Sequence, residues 1–351
     1  MNPAAADEEQ LLVWRDGPVG RIVLNRPRAL NALNFPMVEL FTKTLRDWQD
    51  DAAVRTVVVT GAGARGLCAG GDVRWVYSQL AENKDEVRRF WRAEYELDAL
   101  TARFPKPYLA IMSGIVMGGG VGIACHGRHR VVTETSQVAM PEVGIGFIPD
   151  VGGSWLFGRA PGEFGTHLAL TSQAIGPQDA IDCGLADCFV PADRIGDLVA
   201  ALRDEPVPVA LDRFAVPAPP GTLAGQAHWI NECYAGHSVE RILDRLAHHP
   251  APEAQATAGK LRRQAPTALK LALRLLRQIA RAPDLETGLA QEFRVISHCM
   301  ESADFAEGIR AQVIDKDRNP RWKPATLGEV TQDRLDWFFT EQDPVTGRYT
   351  L

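Results

Sequence analysis

The chain has 351 residues, of which 46% are hydrophobic and 23% charged, and its formal net charge is −6. This composition is typical of a globular protein with one or two domains, and an acidic balance without a long basic run argues against nucleic acid as the main partner. The apolar runs, such as the three valines at 57–59, are too short to span a membrane. The first ten residues lack the basic start and the apolar stretch of a secretion signal, so we expect a cytoplasmic protein.

The first half of the chain alternates between strand and helix patterns. Apolar residues at 11–15 and 19–24 flank Asp16-Gly17-Pro18 and predict a β-hairpin. Asn34 is a candidate N-cap of the helix that follows. The triple glycine 118–120 is expected to open a short helix. Further strands are predicted at 55–60, 108–112, 128–133 and 137–139, with an amphipathic helix at 86–104. Strands that alternate with helices at this spacing indicate an α/β fold.

The composition changes after residue 204. Five prolines lie between positions 206 and 220 and predict a Pro-rich linker at 205–225. Helical patterns fill 226–314, and the chain is polar from 315 to 351. We therefore expect a core with the active site at 1–204, the linker, a helical C-terminal region and a polar C-terminal tail.

Cysteine and histidine spacing gives no sign of a disulfide framework or a metal centre. The six cysteines show no C-x-x-C pair, and we interpret them as reduced, mostly buried thiols. His126 and His129 form an H-x-x-H, but no nearby carboxylate or cysteine completes a ligand set. We therefore predict ordinary polar residues near the start of a strand, and no metal.

Two glycine-rich turns and two carboxylates carry the chemistry of this sequence. One turn contains Gly71 in C-A-G-G-D (68–72), and the other is the triple glycine. A single glycine run is better explained by tight packing, but two can supply the converging amide N–H groups of an oxyanion hole. Glu142 and Asp150, eight positions apart, add an acid/base pair. Together they predict an enzyme that stabilises a carbonyl as it becomes an oxyanion.

Three motifs in order resemble one family. C-A-G-G-D (68–72), M-G-G-G-V-G (117–122) and M-P-E-V-G-I-G-F-I-P-D-V-G-G (140–153) are similar to the crotonase, or enoyl-CoA hydratase/isomerase, superfamily. With E-Y at 94–95 and the stretch 305–324, the chain most resembles the 3-hydroxyisobutyryl-CoA hydrolase branch. The resemblance implies a spiral of ββα units with a helical C-terminal region. It also implies an acyl-CoA thioester substrate, with coenzyme A as part of the substrate and no separate cofactor.

The resemblance also implies roles for individual residues. The amides of Gly71 and Gly119 would bind the thioester oxygen, Glu94 would contact the acyl hydroxyl, and Arg26 in L-N-R-P would contact the nucleotide. Without the resemblance, Glu94 would be interpreted as a solvated residue on an amphipathic helix and Arg26 as a surface charge. The aromatic candidates for lining the acyl pocket are Trp75, Trp91, Phe147 and Trp155.

The carboxylates decide which reaction is predicted. Family hydratases use a glutamate in the P-E motif and another two positions after the triple glycine. Here these positions hold Glu142 and Gly122, and a glycine cannot orient or deprotonate water. The hydrolase branch pairs P-E with P-D, so Glu142 is predicted as nucleophile or general base and Asp150 as its partner. Asp150 could also cap the next helix, and the two roles are compatible.

The sequence therefore predicts hydrolysis of a short hydroxyacyl-CoA thioester, 3-hydroxyisobutyryl-CoA first of all, as in valine degradation. One alternative is an enoyl-CoA hydratase or isomerase that acts through Glu142 alone. Another is a non-catalytic member that binds RNA or serves as a scaffold, which the carboxylate pair and the acidic balance disfavour. The resemblance is compatible with a homo-oligomer, a trimer or a hexamer. The leucines at 269, 273 and 276 form an apolar face that is either core or an oligomer contact.

Overall fold

The computed structural model describes residues 9–341. Its strands form two sheets, one of six strands in the order β1-β2-β3-β5-β7-β9 and one of three in the order β4-β6-β8. The strands are β1 (Leu11–Asp16), β2 (Val19–Leu24), β3 (Thr56–Gly61), β4 (Gly66–Cys68), β5 (Tyr108–Met112), β6 (Ile115–Met117), β7 (His129–Val132), β8 (Gln137–Ala139) and β9 (Cys188–Phe189).

From β3 to β8, consecutive strands alternate between the two sheets, and helices connect the successive pairs. This is the predicted spiral of ββα units, and the α/β fold class is confirmed. The predicted hairpin is also confirmed, because β1 and β2 pair antiparallel from Leu11↔Leu24 to Asp16↔Val19. All other strand pairs in the two sheets are parallel.

Helices cover both sheets and form most of the C-terminal half. Asn34 caps the first of them as predicted, since its side chain accepts a hydrogen bond from the Met37 amide at 3.1 Å. The helices are α1 (Phe35–Gln49), α2 (Val73–Glu82), α3 (Lys84–Arg103), α4 (Gly119–Cys125), α5 (Gly153–Phe157), α6 (Phe164–Thr171), α7 (Pro177–Asp182), α8 (Ile195–Ala201), α9 (Val207–Phe214), α10 (Ala227–Tyr234), α11 (Val239–His248), α12 (Pro252–Leu261), α13 (Pro266–Ile279), α14 (Leu285–Cys299), α15 (Ala303–Ile309) and α16 (Gln332–Phe338).

The core lies on both faces of the six-stranded sheet, which explains the continuous apolar runs of its strands. Val57 and Val59 face the main core, whereas Val58 faces a second apolar cluster on the opposite side. Parallel strands that are buried on both faces are hydrophobic at successive positions for this reason. The leucines of α13 are likewise buried within the single chain, so the apolar face that contains Leu269 and Leu273 is core.

The prediction of a linker at 205–225 is wrong for much of that segment, because it contains α9. Pro206 is the N-cap residue of this helix and Pro208 lies in its first turn, where the backbone N–H has no helical partner to lose. Phe214 and its apolar neighbours on α9 cover the second face of the six-stranded sheet. The prolines therefore start a helix instead of interrupting the fold.

Part of the predicted tail at 315–351 is also structured. Helix α16 packs against α14, and its Leu335 and Phe338 side chains are buried. The rest of that prediction, including Pro344, falls at 342–351, outside the described residues. Across residues 9–341, no helix has both the length and the apolar character that crossing a bilayer would require.

Candidate active site

A cavity of about 540 Å³ opens where the two glycine-rich turns meet the end of the three-stranded sheet. Five of the six residues predicted for catalysis, the oxyanion hole or substrate contact line it, namely Gly71, Glu94, Gly119, Glu142 and Asp150. They come from four separate segments of the chain, so the fold brings together what the sequence only placed in order.

Arg26 does not line this cavity and instead supports one of its turns. Its guanidinium donates hydrogen bonds to the Asp72 carboxylate at 2.8 Å and to the Ala32 carbonyl at 2.6 Å. Asp72 in turn caps α2 by accepting from the Trp75 amide. Arg26 therefore ties the loop after β2 to the turn that contains Gly71.

Of the predicted aromatic lining residues, Trp91 and Phe147 face the cavity. The Phe147 ring stacks on Phe305 of α15 with centroids 4.5 Å apart, and Trp91 packs against both. Trp75 and Trp155 lie outside the lining. These rings give the cavity an apolar aromatic wall.

Two backbone amides are placed to donate into the cavity. Leu33 pairs with the first turn through the Gly70 carbonyl and the Asp72 amide, both at 2.8 Å, so the intervening Gly71 amide points away from that pairing. Gly119 is the first residue of α4, where an amide has no carbonyl one turn earlier to bond. A Cβ on Gly70 would lie 3.4 Å from the Gly119 nitrogen, so the two turns are in contact.

The glycines of the second turn make room for carboxyl groups. A Cβ on Gly118 would lie 2.9 Å from Glu142 Oε1, and a Cβ on Gly119 would overlap Glu94 Oε1. Gly118 also has a φ of +51°, which side chains rarely adopt. The triple glycine therefore serves two purposes, because it exposes an amide and lets carboxylates approach the backbone.

Five buried carboxyl groups surround these turns, and we call them the carboxyl cluster: Glu94, Asp98, Glu142, Asp150 and Glu292. Burial raises the pKa of Asp150 to about 7 and that of Glu292 to about 8. Burial, and then the charge of Asp150, raise the pKa of Glu94 and Glu142 well above the usual range. No Lys or Arg lies among the described residues that line the cavity, so protons must offset these charges.

The turn after Asp150 is strained. Val151 has a φ of +50°, a conformation that is a genuine outlier for a β-branched residue, and Gly152 follows at +76°. Strain of this kind costs on the order of 1–3 kcal/mol and persists only where the surroundings enforce it. The backbone of this turn is therefore held in place by its neighbours.

Two side chains provide that restraint. Glu292 of α14 accepts hydrogen bonds from the Gly152 amide at 2.7 Å and from the Ser154 amide at 2.9 Å. His126 Nε2 donates to the Val151 carbonyl at 2.8 Å, and burial lowers the pKa of His126 to about 4, so the ring is neutral. The amides that begin α5 are thus capped by Glu292, and the suggestion that Asp150 serves as the cap is wrong.

Sequence reasoning missed Asp98, Glu292 and the role of His126. Asp98 follows Glu94 by four positions on the same face of α3, so helical spacing could have indicated it. Glu292 lies 140 positions from Gly152, and no local pattern connects them. His126 was interpreted as an ordinary polar residue, whereas it restrains the turn after Asp150 by its bond to the Val151 carbonyl.

One group of side chains on the surface has the spacing of metal ligands. His228, Glu232 and His249 place one ligand atom each within 4.8 Å of one another, and the first two residues are exposed. His249 Nδ1 accepts a hydrogen bond from the Ala251 amide at 3.0 Å. None of the three lines the cavity, so the chemistry of the carboxyl cluster does not involve them.

Comparison with known proteins identifies the family. The family model for enoyl-CoA hydratase/isomerase matches residues 19–339. The chain belongs to the enoyl-CoA hydratase/isomerase family. Its relatives include 3-hydroxyisobutyryl-CoA hydrolase, mitochondrial, from Rattus norvegicus, 37% identical over 94% of this chain and 88% of the relative. The Homo sapiens protein of the same name is 36% identical over the same shares.

Two solved structures of this family are similar over nearly the whole chain. A carnitinyl-CoA dehydratase from Mycobacterium thermoresistibile has a TM-score of 0.93 and 47% identity, covering 96% of this chain and 98% of that one. An enoyl-CoA hydratase from Rhodobacter sphaeroides 2.4.1 has a TM-score of 0.89 and 40% identity, covering 94% and 97%. The names of the relatives therefore agree on CoA esters and differ on the reaction.

The same comparison corrects one expectation. A cytoplasmic location was predicted from the sequence. The rat and human relatives of this chain, however, are named as mitochondrial 3-hydroxyisobutyryl-CoA hydrolases. The prediction of a cytoplasmic protein is therefore wrong.

Gly122 occupies the position at which a hydratase was expected to carry its second glutamate. A Cβ on Gly122 would lie 2.7 Å from Asp98 Oδ1 and 2.9 Å from Val151 Cβ. Both distances are shorter than real Cβ atoms tolerate, so the site has no room for a side chain at this position. The space is filled by a carboxyl from α3 and by the strained turn.

Proposed function

We propose that the protein hydrolyses a short 3-hydroxyacyl-CoA thioester, with 3-hydroxyisobutyryl-CoA as the leading candidate and 3-hydroxyisobutyrate and coenzyme A as products. This reaction would place it in valine degradation. The proposal rests on the closed space at Gly122, because a hydratase of this family would need a glutamate there. The relatives named 3-hydroxyisobutyryl-CoA hydrolase support the same assignment.

In this mechanism the thioester oxygen accepts hydrogen bonds from the Gly71 and Gly119 amides, which makes the carbonyl carbon electrophilic. In its ionised form, with the proton held by another member of the carboxyl cluster, Glu142 then either attacks that carbon or removes a proton from a water molecule that does so. Glu142 Oε2 is buried and has no hydrogen-bond partner among the described residues, so it is available for this role. When the C–S bond breaks, coenzyme A leaves as a thiolate and receives a proton from the carboxyl cluster. Where Glu142 is the nucleophile, this leaves an acyl-glutamyl anhydride, which water then hydrolyses to release the acid and restore the Glu142 carboxylate.

Asp150 acts as the partner of Glu142 in this scheme. Its pKa of about 7 lets it exchange a proton at neutral pH. Burial and the nearby Asp150 charge raise the pKa of Glu142 from its ordinary value as well. Groups with a pKa near the working pH are the most effective general acids and bases. The strained turn fixes Asp150 at the cavity while it exchanges that proton.

Glu94 would select for a hydroxylated acyl group. Its side chain lines the cavity beside Gly119, and its Oε1 has no hydrogen-bond partner among residues 9–341. A hydroxyl on the acyl chain would satisfy this oxygen, whereas a plain acyl chain would leave it unpaired at a cost of about 1–3 kcal/mol. The rings of Trp91 and Phe147 would limit the length of the chain.

A second candidate is dehydration or hydration of a CoA ester through Glu142 alone, because the relative that is 47% identical is named a carnitinyl-CoA dehydratase. The two candidates predict different products. We would incubate the purified protein with 3-hydroxyisobutyryl-CoA, 3-hydroxypropionyl-CoA, butyryl-CoA and crotonyl-CoA, and follow free thiol with a thiol reagent and enoyl absorbance in parallel.

The hydrolase proposal predicts rapid thiol release from 3-hydroxyisobutyryl-CoA, slower release from 3-hydroxypropionyl-CoA and little hydration of crotonyl-CoA. The rate of thiol release from hydroxyacyl-CoA esters, divided by the rate from butyryl-CoA, should be lower in Glu94→Ala than in the wild-type chain. Hydration of crotonyl-CoA without thiol release would instead assign the second candidate.

Light scattering on the same preparation would test whether the protein is a trimer or a hexamer.

A further inference from the structure

Asp98 is a buried carboxyl group to which the proposed mechanism gives no role. It lies on α3 one turn after Glu94, its exposed fraction is 0%, and it does not line the cavity. Neither of its carboxyl oxygens has a hydrogen-bond partner among the described residues. A buried acid without a partner is costly, so its place in the fold calls for an explanation.

The packing of α3 against α4 shows what Asp98 contacts. Glu94 reaches the backbone of Gly119, and Asp98 reaches the backbone of Gly122, so two carboxyls one turn apart on α3 meet two glycines on α4. Asp98 also lies close to Val151, because both groups crowd the same Cβ position at Gly122. Asp98 therefore lies where α3 meets both α4 and the strained turn that follows Asp150.

The surroundings of Asp98 disfavour its charged form. The titratable groups near it are Glu94 on its own helix, Asp150 on the strained turn, Glu292 on α14 and Tyr108 on β5. All four are acids, and Tyr108 uses its hydroxyl to donate to the Ile123 carbonyl at 2.7 Å. Burial, and then the charges of Glu94 and Asp150, raise the pKa of Asp98 well above its usual range.

We propose that Asp98 is a positioning residue that stays protonated during the reaction and holds Glu94 toward the substrate. A neutral carboxylic acid fills the space beside Gly122 without adding a negative charge next to Asp150. It also lies one turn from Glu94 on the same face of α3, where its volume would limit how far the Glu94 side chain can turn. This inference rests on the proposed function and assigns the preference for hydroxyacyl esters to Asp98 as well as to Glu94.

The test compares Asp98→Ala and Asp98→Asn with the wild-type chain. Asp98→Ala opens space beside Glu94, so the ratio of kcat/KM between 3-hydroxyisobutyryl-CoA and butyryl-CoA should fall about tenfold, as for a lost buried polar match. Asp98→Asn keeps the shape and the neutral polar group and should restore most of that ratio. Val87→Ala serves as the control, because Val87 is buried on the same helix and lies outside the cluster.

The selectivity ratio separates positioning from simple support of the fold. If Asp98→Ala slowed both esters by the same factor, as expected for Val87→Ala, the positioning role would be wrong. If Asp98→Asn were as unselective as Asp98→Ala, the acid itself would be required and the neutral role would be wrong. Thermal midpoints of all variants, measured in parallel, identify any variant that fails to fold. If Asp98→Ala does not fold, the pH profile of Asp98→Asn tests the proposal on its own.

The pH profile tests whether Asp98 is protonated. A protonated Asp98 leaves the acid limb of kcat/KM unchanged in Asp98→Asn. An ionised Asp98 would hold the pKa of Asp150 up, so its replacement would shift the limb to lower pH by about one unit or more. Such a shift would overturn the inference. Absence of thiol release by the wild-type chain would instead overturn the proposed function, so the two failures are distinguishable.

Discussion

The carboxylate of Glu292 accepts a hydrogen bond from the amide of Gly152 at 2.7 Å, although the two residues lie 140 positions apart. Glu292 comes from the helical C-terminal region, and Gly152 follows the candidate catalytic residue Asp150 by two positions. The C-terminal region therefore contributes to the candidate active site, because it restrains the turn that follows Asp150.

This relationship predicts that Glu292→Ala destabilises the chain and slows turnover. Two buried amides would lose their acceptor at about 1–3 kcal/mol each, and the strained Val151 would relax. We expect kcat for thiol release to fall at least about tenfold with KM nearly constant. Urea unfolding and steady-state kinetics measure both effects. Glu286→Ala, a change at a more exposed carboxylate on the same helix, should alter neither, and equal effects would remove the special role of Glu292.

Local patterns predicted the parts of this fold that depend on neighbouring residues. The hairpin, the Asn34 cap and the short helix at the triple glycine all follow from spacing within about ten positions. The helix α9 was missed because prolines at 206 and 208 resemble a linker unless they occupy the first turn of a helix. The contact between Glu292 and Gly152 could not be predicted, since only the tertiary fold connects them.

The residues that form the candidate site could be predicted from the sequence, but their pKa values could not. The motifs named Glu142, Asp150 and the two amides, and the cavity contains all of them. Sequence gave no measure of burial, which raises the pKa of each member of the carboxyl cluster. It also could not show that Asp98 fills the space beside Gly122.

Glu142→Gln should reduce turnover by at least about 100-fold, because the amide keeps the shape but cannot act as nucleophile or base. KM should change little, and the double mutant with Asp150→Asn should be scarcely slower than the poorer single mutant if the pair acts as one unit. Saturating thiol-release assays measure this. Glu134→Gln, at a carboxylate outside the cavity, is the matched control. Near-normal turnover in Glu142→Gln would contradict the mechanism.

Activity should depend on pH through Asp150. Burial raises its pKa to about 7, so the carboxylate that accepts a proton is present above that pH and disappears below it. We expect kcat/KM to fall as pH drops below 7 in the wild-type chain. In Asp150→Asn the limb should move to lower pH, because Glu142 must still be ionised and the Asp150 charge no longer raises its pKa. An unchanged limb in the variant would assign the titration to another group.

The contribution of Asp150 to stability should change with pH in the opposite direction to activity. The folded pKa of Asp150 is about 7 against an ordinary value of 3.8, so between these values the folded state holds a proton that the unfolded state has lost. The contribution of Asp150 to stability therefore decreases as pH rises from 4 to 7, by on the order of 4 kcal/mol in total. The free energy of unfolding of Asp150→Asn minus that of wild type should increase from pH 5 to pH 8. A difference independent of pH would show that Asp150 ionises freely.

Gly119→Ala tests the meeting point of the proposed oxyanion hole and the carboxyl cluster. The added methyl group would overlap Glu94 Oε1 and lie 3.2 Å from the Leu33 side chain, so the Gly119 amide and the Glu94 carboxyl cannot both keep their positions. We expect kcat/KM for thiol release to fall by about 100-fold or more, the scale of a lost oxyanion donor. Gly259→Ala is the matched control, since no atom lies within 4 Å of its added methyl group. Gly259 lies within α12, where alanine should stabilise the helix by up to about 1 kcal/mol and leave kinetics unchanged. If Gly119→Ala turned over normally, neither its amide nor the space beside it would be needed, and the thioester oxygen would have to bind elsewhere in the cavity.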